Sequence, residues 1–231
     1  MAFKQLTLVN YLLIISVACM LSCSKSLQRP SAPPSLLIPS VMVCSQTWMT
    51  KNLDVVTFRN GDTIAQVAGD DNWGNMTIQS PTPAWCYFLD DASNDSVYGK
   101  LYNWAAVTDP RGLAPEGWHV ATYADWTKLA DSCLDGTDIA GKAMKEAGFA
   151  HWKDIQFPKY YGTNSSGLTC LPGGYRDGIG FDNQLGVTGN WWCGTGDSNG
   201  NAYMIWLSYL DNEVHFKNTG NDGVSVRCVK D

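Results

Sequence analysis

The sequence has few glutamates and no cluster of cations. Only three of its 22 acidic residues are glutamate, and no run of basic residues is longer than two. Nucleic-acid binding needs clustered Lys and Arg to neutralise phosphates, so the sequence argues against a nucleic-acid partner. Aspartate favours turns and helix caps over helix interiors, and this imbalance therefore favours a fold rich in loops and strands.

The sequence also lacks the motifs of catalysis and of metal binding. The histidines His119, His151 and His215 are isolated, and neither the His-x-x-x-His nor the Cys-x-x-Cys spacing of zinc sites occurs. No Gly-x-Ser-x-Gly elbow is present, and the glycine pair at 173–174 lacks the helix and lysine of a phosphate-binding loop. We therefore expect a protein that is not an enzyme and that needs no cofactor.

Residues 1–22 have the composition of an export signal. Lys4 lies in a short charged start, and an apolar run follows from Tyr11 to Leu21. The run is short for a membrane-spanning helix, which needs about 20 apolar residues. We predict a signal peptide over residues 1–22 and hence an exported protein.

Cys23 directly follows a small residue, Ser22, at the end of this run. The arrangement resembles a bacterial lipobox, in which the cysteine is acylated and becomes the mature N-terminus, although Met20 and Leu21 replace the usual residues. We predict lipidation of Cys23 and attachment to a membrane through that anchor. An ordinary cleaved signal with an unmodified Cys23 is the alternative, and Cys19 is a weaker candidate for acylation.

Residues 23–40 are predicted to form a proline-rich tether. Proline fixes φ and removes a backbone donor, so dense prolines favour an extended spacer. Residues 41–231 then remain for one domain of ordinary size with its own core. Behind a lipid anchor this domain would belong to an outer-membrane lipoprotein that faces either the periplasm or the cell surface.

The middle of the chain predicts helices, and its end predicts strands. A capping box begins at Thr122, with Asp125 in the place usual for glutamate, and apolar residues then recur on one helix face. A second helix is predicted over 139–147, where Gly148 would end it. Short segments separated by Gly and Asn predict strands of one antiparallel sheet at 168–175, 190–194, 202–208, 213–217 and 224–229. Helices followed by strands indicate an α+β fold.

Several blocks of glycine, tryptophan and arginine occur in an order that resembles a known family. The blocks are QTWMTKNL at 46–53, YGKLYNW at 98–104, GWHV at 117–120, LPGGYRDG at 171–178, WW at 191–192 and SVRCVKD at 225–231. They resemble the Fibrobacter succinogenes major paralogous domain family, which is grouped with the C-type-lectin-like folds. The resemblance covers about residues 41 to 231.

The resemblance implies a fold and a setting, because the family has no well-defined activity. It implies a C-type-lectin-like domain, with two short helices packed on a twisted antiparallel sheet and long loops. We expect a non-enzymatic binding module for a glycan or a protein partner of the bacterial envelope. The alternative is a structural component of a surface assembly. A remote alternative, by analogy with formylglycine-generating enzymes, is a redox enzyme that uses Cys170 and Cys193.

Six cysteines remain after the leader and Cys23, and in an exported protein they favour disulfides. The resemblance implies a cysteine before the Pro-x-Gly-Trp-His block, but Ala114 stands there, so the expected partner of Cys228 is missing. Cys170 and Cys193 stand where the resemblance implies small residues, and we predict that these two form a disulfide. The alternative is that several cysteines are free thiols, buried as small hydrophobic side chains.

Ligand binding is expected at polar loops that carry aromatic residues. The predicted ligand-binding residues are Trp152, Tyr160, Tyr161, Asp197, Asn199 and Asn201. Trp73 is also expected to be exposed, whereas the resemblance implies that Tyr175 belongs to the framework. The sugar-coordinating calcium triplets of C-type lectins are absent, but aspartate- and asparagine-rich loops at 70–72, 90–95 and 197–201 leave open a structural Ca²⁺ ion.

Overall fold

The structure of the protein is a computed structural model, and it describes residues 38–75, 81–178, 180–181, 184–196, 201–220 and 222–231. Its strands are β1 Ser40–Val43, β2 Gln46–Met49, β3 Ala65–Gln66, β4 Ala84–Cys86, β5 Leu101–Asn103, β6 Trp118–Val120, β7 Arg176–Asp177, β8 Gly180–Phe181, β9 Thr188–Cys193, β10 Tyr203–Ser208, β11 His215–Asn218, β12 Gly223–Val224 and β13 Cys228–Lys230. Its α-helices are α1 Asp70–Gly74, α2 Asp95–Tyr98, α3 Trp104–Val107, α4 Tyr123–Thr127 and α5 Thr137–Met144. The fold is therefore α+β, as the sequence predicts. No helix within the described ranges is both long and apolar enough to cross a membrane.

The strands pair in three sheets. The first has the order β1-β2-β13-β6, the second β11-β10-β9, and the third β3-β4-β5-β12-β7-β8. All described pairs are antiparallel except β3 with β4. The prediction of one sheet built from the late strands is wrong, because β12 pairs with β5 and β13 pairs with β2 and β6. The C-terminal strands thus complete sheets that begin in the first half of the chain.

The strand predicted over 168–175 is not formed. Thr169 has a φ of 51° and Gly174 a φ of 64°, and neither conformation continues a strand. Pro172, between them, has no backbone N–H to donate. The segment makes only single-residue bridges, at Cys170 and Gly174.

The predicted helix start at Thr122 is confirmed. Its side-chain oxygen accepts from the backbone N–H of Asp125 at 3.1 Å, and the Asp125 carboxylate accepts from the backbone N–H of Thr122 at 2.9 Å. The helix α4 continues directly into a π-helix at Lys128–Cys133. The second predicted helix ends at Met144, three residues early, because Lys145 adopts an extended conformation with a ψ of 145°.

Tryptophan side chains form the centre of the core. Trp48, Trp126 and Trp191 are fully buried, with ring centroids 4.6 Å apart for the first pair and 6.2 Å for Trp126 and Trp191. Burying a large apolar side chain contributes about 1.5–3 kcal/mol, so this cluster is a major source of stability. Trp73, predicted to be exposed, is also fully buried, and its ring lies 5.1 Å from the Arg176 guanidinium.

The disulfide in the structure joins Cys44 and Cys133, whose Cα atoms are 6.0 Å apart. It links the turn between β1 and β2 to the end of the π-helix. The predicted pairing of Cys170 with Cys193 is wrong, because both are free and fully buried. Both thiols pack in the core cluster around Trp191, where they fill space as small hydrophobic side chains.

Lys145 is a buried cation that is bonded only to backbone carbonyls. Its Nζ donates to the carbonyl oxygens of Tyr160 at 2.8 Å, Ser208 at 2.9 Å and Asp211 at 2.6 Å. An ammonium group has three donors, so these three bonds use all of them. The side chain therefore connects the end of α5 to the 158–160 turn and to the end of β10.

We expect Lys145→Met to lower the free energy of unfolding by about 3 kcal/mol, because three carbonyls would lose their donor. Chemical denaturation of the purified protein measures this change. Lys159→Met is the matched control, since Lys159 is exposed, and it should change stability by less than about 0.5 kcal/mol. Equal stability of the two variants would contradict a structural role for Lys145.

His119 links the C-terminal strand to the start of α4. Its Nδ1 lies 2.8 Å from Asp231 Oδ1, and its Nε2 lies 3.1 Å from Asp125 Oδ2. Burial opposes protonation, but the hydrogen bonds to the two carboxylates outweigh it and raise the pKa of His119. The imidazolium form therefore stabilises the fold below the ordinary histidine pKa near 6.5, and this contribution is lost as the pH rises through the folded-state pKa.

We expect His119→Gln to destabilise the protein more at pH 5.5 than at pH 8.5. The difference should be small, about 0.5 kcal/mol, because the imidazole is 39% exposed and solvent screens its ion pairs. Urea unfolding of the wild type and the variant at both pH values measures the effect. A destabilisation that is the same at both pH values would show that the charge of His119 contributes nothing.

Candidate functional site

The sheet β9–β10–β11 has two faces with different surroundings. Side chains alternate between the faces along each strand. On one face, Trp191 and Ile205 pack into the core. On the other face, Trp192 and Met204 are buried in a second core cluster. The remainder of this second face, which includes the half-buried Trp206, borders an open cleft.

The cleft has a volume of about 220 Å³, which suits a small ligand. Its lining side chains are Tyr175, Gln184, Thr188, Asn190, Met204, Trp206 and Lys217. Thr188, Asn190, Met204, Trp206 and Lys217 project from one face of three neighbouring strands. Their positions are thus fixed by the register of the sheet, in which Trp206 pairs with Asn190 and Met204 with Lys217.

Trp206 provides a flat aromatic surface beside the cleft. Its ring stacks on the His215 imidazole, with the centroids 3.9 Å apart and the planes 13° apart. The imidazole is held in turn by Asp211, whose carboxylate lies 3.1 Å from His215 Nε2. One face of the indole therefore packs on the His215 ring, and this contact fixes the orientation in which the indole can stack on a ligand ring.

Asn190 adds an oriented amide to the cleft. The side chain is only 3% exposed, and its Nδ2 donates to Thr188 Oγ1 at 2.9 Å and to the Gly174 carbonyl at 3.2 Å. Both amide hydrogens are thereby used, and no described residue donates to its Oδ1. The oxygen is thus available to accept from a ligand hydroxyl.

Two glycines determine how closely Tyr175 lies to the sheet. Gly174 and Gly189 form a single parallel bridge. A Cβ atom at Gly174 would lie 2.5 Å from the ring of Phe88, and one at Gly189 would lie 2.4 Å from the ring of Trp191. Only glycine allows this approach, which places Tyr175 and Asn190 on the same cleft.

Among the described residues, the lining of the cleft carries one charge, that of the exposed Lys217, and no carboxylate. Asp222, just before β12, is not among these lining residues. Burial raises the pKa of Asp222, although a hydrogen bond from Thr219 and the charge of Lys217 oppose the shift. The lining therefore offers stacking and hydrogen bonds, and it lacks the pair of acid and base that hydrolytic chemistry requires.

Comparison with known proteins assigns the chain to a family. The sequence model described as the Fibrobacter succinogenes major domain matches residues 41–230. The chain belongs to this family. The match confirms the resemblance seen in the sequence blocks. No curated protein and no solved structure matches the chain.

The aromatic residues predicted to bind ligand do not meet at the cleft of this Fibrobacter succinogenes major domain. Trp152 is in the core, and its indole N–H donates to the Cys170 carbonyl at 3.0 Å, so its prediction as a ligand contact is wrong. Tyr160 and Tyr161 are half-buried at the 158–160 turn, where Tyr161 bonds to Asp154. Neither tyrosine lines the cleft.

The polar residues predicted for the site are only partly covered by the structure. Asp197 and Asn199 lie outside the described residues, and Asn201 is exposed just before β10. Tyr175, assigned to the framework from the sequence, packs against a core cluster and also lines the cleft. No local pattern in the sequence marks Trp206, Asn190 or Lys217, because only the pairing of three strands places them together.

The acidic loops considered for calcium are engaged in other contacts where the structure describes them. The carboxylates of Asp70 and Asp90 bond to the buried Arg176 at 2.9 and 3.0 Å. Asp91 accepts from the backbone N–H of Ser93 and caps a short turn. Within the described ranges, no three His, Cys, Asp or Glu side chains gather closely enough to hold a metal ion.

The free cysteines of this family member are poor nucleophiles. Burial raises the pKa of Cys170 to about 11 and that of Cys193 to about 12. Reactive cysteines need a lowered pKa, since the thiolate is the attacking form. The structure therefore gives no support to the redox alternative that the sequence raised for these two residues.

Proposed function

We propose that the domain is a carbohydrate-binding module and that the Trp206 cleft holds one sugar ring of a glycan. The observation that carries this proposal is the indole of Trp206, stacked on His215 and half-exposed at a cleft lined by amides and hydroxyls. Sugar rings present an apolar face that packs on aromatic rings and hydroxyls that pair with amide groups. The cleft offers both kinds of contact.

The chemistry of the lining favours direct binding over binding through calcium. Calcium prefers carboxylate and carbonyl oxygens, and none of the described lining residues carries a carboxylate. Gln184 and Asn190 instead offer amide groups to sugar hydroxyls directly. Lys217 adds a cation at the edge of the cleft, where it can donate to a further hydroxyl.

The same proposal includes the fold class of the domain and its attachment to a membrane. The domain would be of the C-type-lectin-like class and would be held at the outer membrane by a lipid on Cys23, with residues 23–40 as its tether. Support comes from the family assignment and from the lipobox-like sequence before Cys23. A protein of this kind would present the Trp206 cleft to envelope or external glycans.

We expect a glycan array to show saccharide binding that Trp206→Ala weakens by at least about tenfold, because the variant removes the stacking surface. Tyr160→Ala is the matched control, since Tyr160 is a half-buried aromatic residue away from the cleft, and it should leave binding unchanged. Binding weakened by Tyr160→Ala and unchanged by Trp206→Ala would support the site predicted from the sequence. A blank array for the wild type would favour the structural alternative, with a protein partner.

We expect the same saccharide binding to persist in EDTA, because the described lining residues include no carboxylate. The array is repeated with 1 mM Ca²⁺ replaced by chelator, a change of roughly the scale that weak extracellular calcium sites require. Loss of binding in chelator would show that binding requires a calcium ion. The acidic loop at 197–201 would then be the first candidate for the ligands of that ion.

The lipid anchor has its own test. Cys23→Ala should abolish fatty-acid labelling and release the protein from the membrane fraction, because the acylated thiol is removed. Cys19→Ala is the matched control and should retain both the label and the membrane association. An unchanged membrane fraction for Cys23→Ala would refute the anchor and leave the proposal for the Trp206 cleft intact.

A further inference from the structure

A second cleft, of about 370 Å³, has a different lining. Among its lining residues are Thr50, Lys51, Asn52, Ser96, Thr169 and Arg227. It shares no lining residue with the Trp206 cleft. Hydroxyl and amide groups surround its opening, and a guanidinium lies at its base.

Arg227 is a buried cation without a carboxylate partner. Its side chain is 1% exposed and donates only to neutral acceptors, which are the Met49 carbonyl at 2.8 Å, the Leu168 carbonyl at 2.8 Å and Asn52 Oδ1 at 3.0 Å. Its Nε, fully buried, has no partner among the described residues. Burial lowers the pKa of Arg227, which shows that its positive charge is costly in this place.

The mouth of the cleft adds positive charge. Lys51 is exposed and forms no ion pair with the described residues. His151 also lines the cleft, but it is paired with Glu146, whose Oε1 lies 2.8 Å from His151 Nδ1. Arg227 and Lys51 therefore remain uncompensated in a protein of net charge −6. A buried charge acts strongly on an adjacent cleft because few water molecules screen it.

Thr169, on the wall of the cleft, has a strained backbone. Its φ of 51° is rare for a β-branched residue. Asn164 holds this conformation, since its Oδ1 accepts from the Thr169 backbone N–H at 2.8 Å and its Nδ2 donates to Thr169 Oγ1 at 2.9 Å. Strain maintained by surrounding bonds is common at binding sites.

We propose that this second cleft binds a small acidic sugar, with the carboxylate over Arg227 and near Lys51. The hydroxyls of Thr50 and Ser96 would then meet the sugar hydroxyls. A ligand with one carboxylate suits the cleft because Arg227 has no carboxylate partner among the described residues, and the ligand would provide one. The site does not depend on glycan binding at the Trp206 cleft.

The test uses glucuronate and glucose, which differ in whether C6 carries a carboxylate. The full-length chain, purified in detergent, is titrated with each sugar in 20 mM and in 300 mM salt, and binding is followed by calorimetry. We expect binding of glucuronate that weakens in high salt, since salt screens the charges at the mouth. Glucose should bind at least tenfold more weakly. Equal binding of the two sugars would overturn the proposal.

Charge-reversal variants locate the site. Lys51→Glu should weaken glucuronate binding by roughly fivefold or more, because it changes the field at the mouth by two charges. Lys128→Glu makes the same change of charge at an exposed lysine that lines neither cleft, and it should leave glucuronate binding unchanged. Both lysines are exposed, so both variants should fold. Equal weakening by the two variants, or no weakening by Lys51→Glu, would refute this location.

Discussion

The fold depends on a buried polar node formed by Arg227 and Asn52. Arg227 donates to Asn52 Oδ1 and to the Met49 carbonyl, and the same Asn52 oxygen accepts from the indole of Trp191 at 2.8 Å. The Asn52 amide donates in turn to the Tyr98 carbonyl at 2.8 Å. Strands from both ends of the chain and a helix end therefore meet at one half-buried amide, that of Asn52. Removing one partner leaves an unpaired buried charge or donor, which costs far more than an ordinary surface contact.

This node also determines which face of the sheet β9–β10–β11 borders the Trp206 cleft. Because Trp191 points inward to Asn52, its neighbour Asn190 in β9 points to the opposite face. The pairing of Trp191 with Ile205 then places Trp206 beside Asn190. A slip of one residue would bury Trp206 and expose Ile205, so the core and the cleft are specified by the same register. The site is thus a consequence of core packing, and no loop motif is needed to form it.

These dependencies explain what the sequence could and could not predict. Local chemistry is readable from the sequence, and the capping box at Thr122 and the family blocks are confirmed for that reason. The prediction of exposure was wrong for Trp152, because its indole N–H bonds to the Cys170 carbonyl, 18 residues along the chain, and the Lys145 ammonium lies over its ring. The prediction of the disulfide was wrong for the same reason, because Cys133 lies beside Cys44 only when the π-helix packs against the hairpin of β1 and β2. Pairings between distant segments leave no periodic signal in the sequence.

The distribution of charge connects the two clefts to a common kind of chemistry. The chain is acidic, yet the described lining of each cleft contains no aspartate or glutamate. Acids make contacts within the chain instead, since Asp70 and Asp90 form ion pairs with the buried Arg176 and Asp125 caps α4. Both clefts consequently offer donors, aromatic surface or positive charge in a chain whose net charge is −6. A ligand with hydroxyls and at most one carboxylate meets these conditions at both places, whereas catalysis by paired carboxylates or recognition through a calcium ion would require the acids that the clefts lack.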